Sequence, residues 1–94
     1  MVMSRTIRFL VLPFTRDHHG ELFGLGPEEV SDAAMANFRA FNMVGKIRRS
    51  ETVVGTIAFS RSGDPARGDF ADASILGRYG ETPEDVAGRK WGRR

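Results

Sequence analysis

Apolar positions recur along this chain with two different periods. In residues 5–14, Ile7, Phe9 and Val11 fall on one face of an extended segment, and Leu10, Leu12 and Phe14 fill the other beyond Arg8. A run apolar on both faces predicts a strand that is central or becomes buried along its length. Pro13 has no N–H for a ladder, so the strand is expected to end, or to reach a sheet edge, there. Residues 51–61 alternate more cleanly. Val53, Ile57 and Phe59 share one side with Gly55, and Thr52, Val54, Thr56, Ala58 and Ser60 share the other. They predict a second strand.

Between the strands the period becomes helical. Pro27 suits a first helical turn, Glu28, Glu29 and Asp32 suit the positive end of a helix dipole, and Gly45 suits a stop, so residues 27–44 are expected to form a helix. Val30, Ala34, Phe38 and Phe41 follow its spacing and are expected to face the sheet. The predicted fold class is therefore α+β. It is a small two-layer domain with a β-α-β core, the two strands being parallel neighbours joined by a right-handed crossover. A third short strand, or short helices near the C-terminus, completes it. Residues 62–68 read as a turn, and residues 70–79 fit either a strand carrying Ile75, Gly77 and Tyr79 or a short helix or irregular segment, the latter favoured because Ala, Asp and Gly are poor strand residues. A short helix is expected from Thr82 to about Ala87.

Length and composition narrow the picture. Ninety-four residues make one domain, assigned here to 1–88, with 89–94 a flexible basic tail. The absence of Cys excludes disulfides, thiolate metal sites and thiol nucleophiles. Charge is uneven. The last six residues hold Arg89, Lys90, Arg93 and Arg94, so +4 of the net +2 lies there and the other 88 residues carry −2. Arg5 and Arg8 before the short apolar run 9–14 do not make a secretory signal, and a cytoplasmic setting without membrane contact is expected.

Three places offer candidate chemistry. Asp17-His18-His19-Gly20-Glu21 gathers the two histidines, so His18 and His19 are the candidate metal or acid–base residues, although adjacent histidines match no regular ligand spacing. Ser60, Arg61, Ser62, Asp64 and Arg67 follow the second strand and suggest an anion or partner-binding turn. The tail residues Arg89, Lys90, Trp91, Arg93 and Arg94 pair cations with an aromatic ring, as nucleic-acid binders do. The segment Gly55-Thr-Ile-Ala-Phe-Ser-Arg-Ser-Gly-Asp-Pro65 resembles a segment of short uncharacterised bacterial proteins. That resemblance implies no activity, cofactor or partner.

The sequence thus leads to a non-enzymatic protein-interaction module without a cofactor, in which a thin core and an open strand edge at residues 51–61 point to association with a partner protein or with a second copy as a homodimer. Two alternatives accompany it: a nucleic-acid accessory protein using the tail, and a metal-binding or hydrolytic protein centred on His18 and His19.

Overall fold

A computed structural model describes residues 6–64, 69–70 and 73–84. Its architecture is mostly β and antiparallel, which overturns the α+β expectation. Strand β1 (Thr6–Arg16) lies beside β6 (Gly55–Asp64) in a ladder running from Thr6 opposite Gly63 to Phe14 opposite Gly55. The two strands are neighbours, but antiparallel, so no right-handed crossover joins them. The chain between them forms β2 (Leu22–Gly24), β3 (Glu28–Val30), α1 (Ala33–Met43) and a small hairpin, β4 (Ile47–Arg48) with β5 (Glu51–Thr52). Strands β7 (Asp69–Phe70) and β8 (Ser74–Gly80) pair with successive parts of β6.

The two-faced strand is central, as its pattern requires. β1 lies between β6 on one side and β2 with β3 on the other. Phe9 and Val11 turn toward α1, while Leu12 and Phe14 pack with Ile57 and Phe59 on the opposite face, where Leu10, Leu22 and Ala73 join them. The strand does not stop at Pro13; it runs to Arg16. The reason lies across the sheet. The Leu25 N–H donates to the Pro13 carbonyl at 2.8 Å, so the missing proline N–H faces the junction between β2 and β3. There the partner chain already departs from the ladder: from Phe14–Gly24 to Val11–Glu28, β1 advances three residues and its partner four. The extra residue is a bulge, and Gly26 supplies a φ of 100° within it. Pro13 sits where no donor is needed.

The predicted helix begins six residues late. Glu28–Val30 is strand β3, paired with Val11, Leu10 and Phe9. Asp32 is extended and accepts a hydrogen bond from the Met35 N–H at 2.8 Å, so it caps the helix from outside. The end agrees with expectation: the helix closes at Met43, and Gly45 follows with φ 88°.

The helix is also turned relative to the expected face. Ala36, Ala40 and Met43 are the residues buried on Val11 and Ala58. Ala34, Phe38 and Phe41 face outward. Small side chains permit a close approach, and two contacts depend on it. Thr56, fully buried, donates its hydroxyl to the Ala40 carbonyl at 2.7 Å. Tyr79 of β8 donates to Asn37 Oδ1 at 2.5 Å, directly over Gly77, where any Cβ would strike that oxygen.

Three further expectations change. The strand read at 51–61 divides at Val53-Val54: residues 51–52 belong to the hairpin and Gly55–Asp64 to the large sheet. Of the turn read at 62–68, residues 62–64 belong to β6 instead, and residues 65–68 lie outside the described residues. Ser74–Gly80 is strand rather than helix, because pairing with β6 outweighs its weak intrinsic strand preference. Thr82–Glu84 is not helical, and the remainder of that expected helix, like the tail 89–94, lies outside the described residues.

Two substitutions probe this core. Thr56→Val keeps the shape but strands the Ala40 carbonyl, and should lower unfolding free energy by about 1–2 kcal/mol in urea titrations. Gly55→Ala should do more damage, because its Cβ would overlap the Glu81 backbone, whose N–H is held by the Val54 carbonyl at 2.8 Å. A loss of about 2–4 kcal/mol is expected.

Candidate functional site

The histidine segment is the turn of the β1–β2 hairpin. The Asp17 carboxylate accepts from the backbone N–H groups of His19 at 2.9 Å and Glu21 at 3.0 Å, and the Asp17 carbonyl accepts from Gly20 N–H at 2.9 Å. Gly20, with φ 81°, closes the turn. The carboxylate is thus occupied in shaping the backbone. His18 and His19 are exposed, their rings 4.1 Å apart at 40°. Among the described residues no group of three or more His, Cys, Asp or Glu side chains gathers that could hold a metal ion.

Ser60, Arg61, Ser62 and Asp64 do not form a turn beyond a strand; all four lie within β6. Strand alternation separates their side chains. Ser60 stands opposite Phe9 and Ser62 opposite Ile7, on the helix side, whereas Arg61 stands opposite Arg8 on the other side. One anion could not be held by both hydroxyls and the guanidinium. The side chain of Asp64, all of Arg67, and the tail residues Arg89, Lys90, Trp91, Arg93 and Arg94 lie outside the described residues.

The structure instead brings together residues that the sequence reading assigned elsewhere. Phe38 and Phe41, expected in the core, are 64% and 66% exposed on successive turns of α1. Met35 and Ala34 extend the same apolar surface. Phe41 meets Tyr79 edge-on, ring centroids 5.9 Å apart, so the patch reaches from the helix onto β8. Its sequence signal was present but ambiguous. Ala36, Ala40 and Met43 also have helical spacing, and the small size of the two alanines is what marks the face that approaches a sheet.

Beside the helix stands the β4–β5 hairpin, whose second strand the sequence reading joined to residues 53–61. It hangs from the end of α1 through two hydrogen bonds of 2.8 Å, Gly45 N–H to the Val53 carbonyl and Val53 N–H to the Lys46 carbonyl. Glu28 of β3 fixes its side: the carboxylate pairs with Arg39 of α1 and, at 3.0 Å, with Arg48 of β4. These half-exposed ion pairs contribute position more than stability. The hairpin tip is unusual. Arg49 and Ser50 have φ of 53° and 66°, the left-handed pair that a two-residue turn requires but that Asn-Gly normally supplies.

No family model, curated protein or solved structure matches this chain. No helix among the described residues is long and apolar enough to cross a membrane.

The hairpin gives a direct stability test. Ser50→Gly relieves a left-handed side-chain clash and adds some unfolded-state entropy, so a net gain of about 0.5–1 kcal/mol is expected in chemical denaturation. An unchanged midpoint would show that the tip is not strained.

Proposed function

We propose that this protein is a non-enzymatic interaction module whose contact surface is the outer face of α1. The observation that carries the reading is the pair Phe38 and Phe41, two large aromatic side chains left mostly in solvent on one side of a helix whose other side is buried. Scattered apolar residues on a surface are ordinary, but a contiguous aromatic patch is the usual mark of a contact site. The strand edge expected at residues 51–61 does not contribute, because β6 is interior to the sheet. On that side β8 covers β6, with a register shift between Ala58 and Phe59 that makes it irregular. The helix face therefore carries the proposal. A cytoplasmic setting belongs to the same reading and is compatible with the cysteine-free sequence.

The test is a photo-crosslinking amino acid placed at position 38, with position 21 of the exposed β1–β2 turn as control, in cells producing the protein. A defined adduct is expected at 38 alone, and Phe41→Ser should reduce its yield severalfold while leaving the melting curve within about 2 °C of wild type. Equal labelling at both positions would remove the reading.

A further inference from the structure

The rim of the aromatic face carries information about what lies on it. Residues 33–52, which make up the helix and the hairpin, hold Arg39, Lys46, Arg48 and Arg49 against Glu51 alone, a net of +3. The basic run at residues 89–94 carries +4 of its own and the whole chain is +2, so the remaining 68 residues sum to −5. Within residues 1–88 the positive charge is thus concentrated on the helix and the hairpin.

The pairing within the cluster leaves a surplus. Arg39 and Arg48 share the one carboxylate of Glu28. Lys46 Nζ donates only to the Asn42 carbonyl, at 3.0 Å, which neutralises nothing. Arg49 has no acidic partner among the described residues, and its Nη2 would lie 3.9 Å from a Cβ on Gly26, beside the same edge of the sheet. Lys46 and Arg49 are both exposed. The helical period sets the order around α1: Phe41 beside Tyr79, then Phe38, then Met35 and Asn42, then Arg39 facing Glu28. An aromatic ridge is therefore flanked on its hairpin side by cations.

We infer that the occupant of this face is an acidic amphipathic segment of another protein. Its apolar side chains lie on Phe38, Phe41 and Met35, and its carboxylates reach Lys46 and Arg49. The inference rests on the interaction reading above and adds the partner's chemistry to it. A second copy fits less well, since two such faces meeting about a two-fold axis would set their surplus positive charges together. Nucleic acid fits less well too, since the cations gather on one flank and do not track along a groove, and the centre of the surface includes Met35 and Ala34, which offer no stacking ring. A binding role for Arg49 also accounts for a cation held at a turn position that backbone chemistry disfavours.

The experiment uses the whole chain and a fluorescein-labelled helical probe of about 16 residues, with Leu at positions i, i+3, i+4 and i+7 and Glu elsewhere. A counterpart with Lys for Glu and a labelled oligouridylate of similar length serve as comparisons. Anisotropy is read at low and physiological salt for the wild type, Lys46→Glu/Arg49→Glu and Phe38→Ser/Phe41→Ser, each checked for folding by circular dichroism. The Glu probe should bind the wild type, more weakly at higher salt, and the charge-reversed double variant should lose about tenfold in affinity. The Lys probe should not bind. Equal binding of both probes, lost in Phe38→Ser/Phe41→Ser, would overturn the acidic partner while keeping the aromatic face as a contact site. Binding of neither probe up to about 1 mM would overturn both readings. Tighter binding of the oligouridylate would replace the partner by nucleic acid. A dimer in sedimentation velocity that Phe38→Ser/Phe41→Ser dissolves would replace it by a second copy.

Discussion

The β1–β6 ladder is the constraint on which the remaining elements depend. It aligns Val11 with Ala58 and Leu12 with Ile57, so one set of pairs supplies the floor for α1 and the next supplies the opposite core. A slip of one residue would send every side chain to the wrong face. Both faces being apolar makes that error costly in both directions. The antiparallel sense also fixes where the other elements go. It brings Thr56 under Ala40, Gly55 under Glu81, and the free side of β6 against β8.

Much of this was written in the local pattern. The extended run around Phe9–Phe14, the alternation from Gly55 to Ser60 and the close of the helix before Gly45 all stand where residue chemistry puts them. What was not legible depends on partners distant in sequence. Nothing in Glu28-Glu29-Val30 distinguishes a first helical turn from an edge strand until Phe9–Val11 is known to lie beside it. Parallel or antiparallel pairing cannot be read from either strand alone. The rotation of α1 followed from a competition between two apolar stripes, and the sheet chose the one built of Ala36 and Ala40 because Thr56 and Gly77 leave room only for small side chains.

The candidate surface was misread for the same reason. Phe38 and Phe41 look like core residues when the helix is considered in isolation, because large aromatics usually are. Lys46-Ile47-Arg48-Arg49-Ser50 holds three cations and one apolar residue, too little pattern to mark a hairpin. Only the Glu28 carboxylate, reached from Arg39 and Arg48, shows that hairpin and helix present one continuous surface. The histidines, the most chemically suggestive residues in the chain, occupy an exposed turn in which the Asp17 carboxylate is bonded to the backbone.

The position of β1 has a consequence for how the molecule comes to be folded. Val11 must find Ala58 across the length of chain that makes β2, β3, the helix and the hairpin. Closing a loop of that size costs on the order of 3 kcal/mol of chain entropy before any ladder contact offsets it. During synthesis the first long strand emerges with no long partner, its apolar faces open, until residues 55–64 follow. Meanwhile β2 can pair with its Phe14–Arg16 end and β3 with Phe9–Val11, both on one side, and the side that belongs to β6 stays open. Folding of this chain is thus governed by a late, long-range event, slower than its small size alone would suggest.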